Sequence, residues 1–396
     1  MDFDYDDELV AIQDAMVACL EPFKDRREEL TRMVMVEKKF PQEVWDAICG
    51  TGFMGCLVSE EYGGNDMGLL AATVAIETLA KNGMGNALLI LGTMAASCLM
   101  RNGSDTIKRK YLPSLASGEK KFCFAITEPN AGSNAFRLET LATRDGDNWK
   151  LNGSKVFITG ADVADHMLLV CRTMSRKETE EKGMPKAWGL ALFIVDMDSP
   201  GIDLKPIPTH GIEGMTQFLI HFDDCPIAGE NIIGEPDMGS MVLFNSLNPE
   251  RILAAGTACG LAANALGKAV AYANERRVFK DRPIGAYQGI SHPLAKCAIE
   301  LEASKLLAYR SAWAYDQGKH AGMVGTYANM AKYTAAEMAI ETVDRAIQTL
   351  GGYGFSEEYG IIHYYESVRL LRTAPITAEL ILNFVAEHHL GLPRSY

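Results

Sequence analysis

The sequence has no cysteine pair at redox or metal-ligand spacing, no long apolar run and no excess of basic residues, and each absence argues against a class of function. Nine cysteines run from Cys19 to Cys297 without one C-x-x-C, which speaks against a zinc ribbon or a disulfide framework and fits a reducing compartment. No apolar stretch reaches the roughly 18 residues that a membrane span needs. Lys and Arg number 38 against 51 Asp and Glu, a net charge of −13, so a nucleic-acid backbone is a poor partner. The start, MDFDYDDELV, has neither the basic and apolar regions of a secretory leader nor the Arg-rich texture of a transit peptide, and a cytoplasmic protein is expected. P-loop, nucleophile-elbow and zincin motifs are missing. Gly352-Tyr353-Gly354 lacks the third glycine of a dinucleotide fingerprint and follows a helical run. The eight histidines are dispersed, and no metal site is expected.

What remains is an ordinary globular composition, 48% apolar and 22% charged over 396 residues, enough for two or three domains. Residues 1–118 read as helices: Leu9, Ile12, Met16 and Leu20 fall at helical spacing, and apolar runs follow near 68–81 and 86–101. Residues 119–235 change texture to short strands and turns. Asp145-Gly146-Asp147-Asn148 and Asn152-Gly153 both read as hairpin turns, Met167–Arg172 and Leu190–Val195 as strands, and the charged stretch Ser175–Lys186 as a solvated loop. This middle segment is expected to be a compact antiparallel β-barrel. Residues 236–396 return to a helical period, with runs at 240–277, 291–318, 322–350 and 376–390 that fit an antiparallel bundle of the four-helix type. The fold class is thus α+β, with helical domains on either side of an antiparallel β domain.

Three segments stand out. In Phe124-Ala125-Ile126-Thr127-Glu128-Pro129-Asn130-Ala131-Gly132-Ser133 a strand runs into a loop rich in backbone donors and hydroxyls, suited to an anion or a flavin edge and equally to a plain surface loop. Trp149–Gly160, alone, reads as a hairpin. Gln348-Thr349-Leu350-Gly351-Gly352-Tyr353-Gly354-Phe355 ends a helix in two glycines, either a C-cap or a close approach to a pyrophosphate.

Together these resemble the acyl-CoA dehydrogenase family, FAD enzymes that desaturate acyl-CoA thioesters between the α and β carbons. TEPNAGSN resembles the family's T-E-P-x-A-G-S-D loop, LNGSKVFITG its L-N-G-x-K-x-W-I-T segment, ANERRVFKDRPIGAYQGI its E-R-x-x-F-G-x-P-I…Q segment, and IQTLGGYGF its Q-x-x-G-G-x-G-F segment. The resemblance spans nearly the whole chain, including the helical, β, helical order. It implies that Phe124, Ile126, Thr127, Gly132 and Ser133 meet the flavin, that Phe157 and Thr159 lie beside its ring, and that Phe157 stands where a tryptophan is usual. It further implies that Arg276, Phe279, Gln288, Gln348, Gly351 and Gly352 hold the adenine and pyrophosphate of a neighbouring subunit's FAD, with Thr377 and Glu379 as the last flavin contacts. Lys280-Asp281 stands where the family commonly has one glycine.

The chemistry needs one carboxylate to take the α proton, and donors to polarise the thioester carbonyl. Many members carry that carboxylate in a Y-E-G-T segment; here Ala374-Pro375-Ile376-Thr377-Ala378-Glu379 puts Pro375 at the base position. Members resembling isovaleryl-CoA and long-chain acyl-CoA dehydrogenases carry it in L-D-x-E-R on the helix that opens the bundle. This chain has Leu247-Asn248-Pro249-Glu250-Arg251. Glu250 is therefore the expected base, with Ser133, Asn248 and Arg251 toward the substrate, and Pro249 in a first helical turn would set Glu250 near the positive end of the dipole. The bland alternative is a favourable first-turn acid.

The expected function is FAD-dependent α,β-dehydrogenation of an acyl-CoA, with hydride to flavin N5, electrons passed to an electron-transfer flavoprotein, and a homotetramer built as a dimer of dimers. The alternatives are an enoyl-CoA reductase of the crotonobetainyl-CoA type, a flavin monooxygenase on the same fold, and a catalytically silent partner subunit.

Overall fold

The computed structural model describes residues 4–394; residues 1–3 and 395–396, the outermost of the two helical domain assignments, lie outside them. The N-terminal domain contains helices α1 (Asp7–Leu20), α2 (Arg27–Thr31), α3 (Gln42–Cys49), α4 (Gly68–Lys81), α5 (Ala87–Asn102) and α6 (Asp105–Ala116). The middle domain holds strands β1 (Phe122–Ala125), β2 (Leu141–Asp145), β3 (Asn148–Thr159), β4 (His166–Arg172), helix α7 (Arg176–Glu181), and strands β5 (Leu190–Asp196), β6 (Ile202–Ile207), β7 (Gln217–Ile227) and β8 (Ile232–Ile233). Then come α8 (Gly239–Glu275), the ribbon β9 (Arg277–Val278) and β10 (Arg282–Pro283), α9 (Gln288–Asp316), α10 (Ala321–Leu350), α11 (Ile361–Thr373) and α12 (Ala378–Phe384).

Helix α4 is buried on every face, with Leu69 and all of Ala71–Ala80 buried, the pattern of a helix enclosed by others. Against it lies α8, whose Gly260 allows the close approach: a Cβ there would stand 2.3 Å from Glu77 O. The start of α4 is capped from outside. Asp316, at the end of α9, accepts from Leu69 N at 2.7 Å and Leu70 N at 2.8 Å, satisfying two of the free amides of a helix terminus and fastening the first domain to the last. Contrary to the expectation that no stretch reaches membrane-span length, an 18-residue window of α8 is long and apolar enough to cross a bilayer, yet 72% of that window is buried inside the protein, as in the core helix of a bundle.

The sheet runs β6-β7-β3-β2-β4-β5-β8, with β1 added parallel to β4. Its two edges, β6 and β8, are not paired with each other, so hydrogen bonding leaves it open rather than closing the expected barrel, and β1–β4 departs from an all-antiparallel order. The Asp145–Asn148 hairpin forms as expected, joining β2 to β3. Asn152-Gly153 does not turn the chain. It lies inside β3, where the pairing with β7 shifts between Leu151 and Gly153 and glycine takes φ 139°. An Asn-Gly pair fits a bulge as well as a turn, because both need an unusual φ. The charged segment after Ser175 is not loop throughout: Ser175 and Glu178 form a reciprocal capping box that starts α7. Helix α11 was absent from the sequence expectation. It buries Ile361, Tyr364, Ser367 and Val368 but has no side-chain N-cap, so it lacks a start signal.

A buried ion pair joins β1's loop to β3. Lys155 is fully buried and donates to Glu128 Oε1 at 2.8 Å and Ile126 O at 2.9 Å. Glu128 also accepts from the amides of Glu139 (2.7 Å) and Thr140 (3.0 Å). Burial pushes the Glu128 carboxyl up, but Lys155 and the hydrogen bonds it accepts outweigh that and hold it below the usual range. Removing one partner leaves an uncompensated buried charge, so Lys155→Met is expected to cost about 3–5 kcal/mol in urea unfolding. A loss of only about 1 kcal/mol, typical of a surface pair, would show that this pair does not organise the loop.

Candidate active site

The loop after β1 closes on itself through Glu128 N–Ala131 O (3.0 Å) and Ala131 N–Glu128 O (3.1 Å). Strand β3 then holds it, Val156 N donating to Thr127 O at 2.9 Å. Phe124 and Ile126 turn into the large core cluster that also contains Leu88, Ile252 and Leu253. Gly132 and Ser133 are exposed, and among the described residues their amides donate to no acceptor. No atom lies within 4 Å of a Cβ added at Gly132. Free amides in an open turn form a ready anion or polar-edge site.

On β3, Phe157 is 54% exposed and holds φ 59° beside a second register shift. A left-handed φ is costly for an aromatic residue, and here it presents a ring to the surface. Two residues on, Thr159 is half-buried and its hydroxyl receives Gln217 Nε2 at 3.4 Å. Exposed ring, hydroxyls and free amides together suit a planar cofactor with polar edges.

The second expected group gathers at the far end of the bundle. Arg276 caps α8 at its C-terminus. One turn earlier, Tyr272 packs on Tyr353 of the Gly351–Phe355 turn, ring centroids 6.1 Å apart. Gln348, Gly351 and Gly352 are exposed, with nothing within 4 Å of a Cβ added at either glycine. Phe279 is 83% exposed. Phe279, Lys280 and Asp281 all take positive φ (22°, 60° and 54°); the extra residue is accommodated in a tight ribbon whose Arg277 donates to Asp281 O at 2.8 Å. Gln288, exposed, begins α9. Glu250 and Arg276 lie about 39 Å apart along one helix, at 1.5 Å per residue, so the structure does not bring this group to the Glu250 site within one chain.

Glu250 is 8% exposed, and its carboxyl forms no hydrogen bond among the described residues. Burial pushes it up to about 7, against the pull of the positive charges of Arg251 and Lys332. Arg251 Nη1 donates to Asn248 Oδ1 at 3.2 Å, which ties two of the expected substrate residues together. The first-turn expectation needs correcting. Pro249 lies inside α8, which begins at Gly239, and Leu243 and Ser246, both buried, carry the helix through the proline. The helix dipole therefore does not act on Glu250; burial and the two cations govern it.

The segment after α11 contains a cis Ala374–Pro375 bond, and Thr377 then caps α12, its hydroxyl accepting from Leu380 N at 3.3 Å. Glu379, in the first turn of α12, is exposed. Sequence reasoning missed Lys332, which is 2% exposed and donates to Ile376 O at 2.6 Å. The signal was available: Lys332 is the one charged residue in the stripe Ala328, Ala331, Ala335, Ala336 and Ala339 on α10. Sequence reasoning also passed over Glu213, a buried carboxyl near Ser367 and Lys38 that burial pushes up to about 7.

The N-terminal, middle and C-terminal domain families of acyl-CoA dehydrogenases match residues 9–119, 123–225 and 237–390 in that order. The chain is 41% identical to acyl-CoA dehydrogenase FadE12 of Mycobacterium tuberculosis over 355 residues, 89% of each protein. It is 33% identical to the caffeyl-CoA reductase-Etf complex subunit CarC of Acetobacterium woodii, over 88% of this chain and 89% of that one. Among solved structures, butyryl-CoA dehydrogenase of Megasphaera elsdenii superposes with a TM-score of 0.89 at 29% identity, covering 98% of this chain and 100% of that one. With a helical domain, a β domain and a helical bundle in the matching order, this chain belongs to the acyl-CoA dehydrogenase family of FAD-dependent oxidoreductases.

Proposed function

We propose that this protein oxidises an acyl-CoA thioester across its α and β carbons, with Glu250 as the base that takes the α proton. The observation that carries the reading is a buried carboxyl without a hydrogen-bond partner, held near neutrality by burial and two cations. A base works best when its proton affinity lies near the working pH. The alternative carboxylate, Glu379, is exposed, and Pro375 occupies the position where many family members carry the base. Asn248 and Arg251 flank Glu250 toward the thioester. A Glu250 oxygen takes the α proton as the carbon–carbon bond becomes double, and FAD, when bound, would supply the acceptor for the β hydrogen, which leaves as hydride. Phe124, Ile126, Thr127, Gly132, Ser133, Phe157 and Thr159 would hold the flavin from one chain, together with Thr377 and Glu379.

The roughly 39 Å between Glu250 and Arg276 supports the view that Arg276, Phe279, Gln288, Gln348, Gly351 and Gly352 serve the FAD of a neighbouring copy, in a homotetramer built as a dimer of dimers. Ile299, Leu306 and Trp313, exposed and seven residues apart along α9, supply an apolar stripe for subunit contact. Domain boundaries fall after residues 118 and 235. The Etf complex in the name of the Acetobacterium relative supports an electron-transfer flavoprotein as the electron acceptor. The reductase in the same name favours a second reading, in which Glu250 donates the proton to an enoyl-CoA.

Anaerobic mixing of the yellow holoenzyme with a panel of acyl-CoA thioesters tests the proposal. Wild type bleaches; Glu250→Gln is expected to bleach about 10²–10⁴-fold more slowly with its FAD content unchanged. Bleaching at the wild-type rate removes Glu250 from the role. The bleaching rate of the wild type should climb as pH rises through about 7. Stability should move the other way. Burial raises the folded carboxyl above its unfolded value, so the folded state binds the proton more tightly and loses stability as pH rises from about 4.5 to about 7. Glu250→Gln is therefore expected to raise the melting temperature at pH 8 and to change it little at pH 4; equal effects at both values would contradict the burial of an ionising group. Arg276→Ala is expected to lose FAD and subunit assembly together, and a fully loaded monomer would contradict the shared site.

A further inference from the structure

Lys332 is a buried cation, and among the described residues no carboxylate lies within ion-pair distance of it. Its Nζ donates to Ile376 O at 2.6 Å. Burial and the nearby Arg251 push its ammonium down to about 8, with Glu337, Glu250 and Glu379 pulling the other way. A methionine of similar reach would avoid the desolvation that a buried ammonium suffers, so a tether to one carbonyl is a weak reason for a lysine. The geometry offers a better one. Ile376 O belongs to the peptide joining Ile376 to Thr377. In a trans peptide the N–H points opposite to the C=O, so the bond to Lys332 aims Thr377 N–H away from α10. That amide, like Ile376 N–H, donates to no acceptor among the described residues, while Pro375 has no N–H to give.

We infer that Lys332 is a positioning residue of this site, orienting the 376–377 peptide through Ile376 O and bringing a positive charge to the surroundings of the Glu250 carboxylate. The charged groups that bear on Glu250 are Arg251 from α8 itself and Lys332 from α10. Those around Lys332 are Glu250 and Arg251 from α8, Glu337 from α10 and Glu379 from α12. The free Thr377 amide is then available to polarise the thioester carbonyl, a donor that Pro375, without an N–H, cannot supply. The inference rests on Glu250 being the base, but its electrostatic half can be read without turnover.

The test is an infrared titration of the Glu250 carboxyl band in the holoenzyme, with the band assigned by its loss in Glu250→Gln. Lys332→Gln keeps an N–H donor and loses the charge; Lys332→Met loses both; Lys332→Arg keeps both. Because a nearby cation favours the ionised carboxyl, the midpoint should rise by about one pH unit in Lys332→Gln and Lys332→Met and stay near the wild-type value in Lys332→Arg. The rising limb of flavin bleaching against pH, with butyryl-CoA as probe, should move in step. If Lys332→Met does not fold, Lys332→Gln carries the same test. A midpoint unmoved in Lys332→Gln makes Lys332 a mere tether and overturns the inference. Should Glu250→Gln bleach at the wild-type rate while the midpoint still moves, the base assignment fails and the electrostatic inference stands.

Discussion

A carboxyl group buried where water hardly reaches, between two cations, is the constraint on which the rest of this structure depends. An isolated carboxylate in such a place simply keeps its proton. Here burial raises Glu250 to about 7, while Arg251 and Lys332 keep it from rising further. The two cations come from different helices, α8 and α10, and each is held by a neutral oxygen: Asn248 Oδ1 for Arg251 and Ile376 O for Lys332. Neither is consumed in a contact ion pair with Glu250, so both act at a distance and leave its carboxyl oxygens without a hydrogen-bond partner among the described residues. The bundle keeps these helices in register through small residues, since the core between α8 and α10 is largely alanine.

A different buried charge organises the exposed loop after β1. Glu128 and Lys155 lie inside the protein and saturate each other and three backbone groups. The loop they anchor can then leave the amides of Gly132 and Ser133 unpaired at the surface. Strain at Phe157 belongs to the same arrangement, because a register shift in β3 turns that residue outward. At the other end of α8, 37 residues long, Arg276 sits about 39 Å along the helix from Glu250, near the open glycine turn at 351–352.

Much of this was legible in the sequence wherever one local pattern had one structural meaning. The apolar periods of α4, α5, α8 and α10 gave spans within a few residues of those observed, and the Asp145–Asn148 turn appeared where expected. Errors arose where a pattern has two meanings. Asn152-Gly153 serves a bulge as readily as a hairpin, and Pro249 is tolerated inside a helix whose neighbours, Leu243 and Ser246, are already buried. Lys332 and Glu128 escaped for another reason: a charged residue in a helix or loop reads as solvated until its surroundings are known, and their partners lie 44 residues away for Lys332 and 27 for Glu128. Glu250 itself was legible only through the resemblance of Leu247–Arg251, since its first-turn setting was wrong and its burial could not be read from the chain.

The central claim is that Glu250 faces the α carbon of a bound acyl thioester. A crystal structure of the holoenzyme with an unreactive acyl-CoA analogue measures this directly. The account requires a Glu250 oxygen about 3–3.5 Å from that carbon, on the face away from the flavin ring. A substrate α carbon lying instead against Glu379, or against no carboxylate at all, would contradict it.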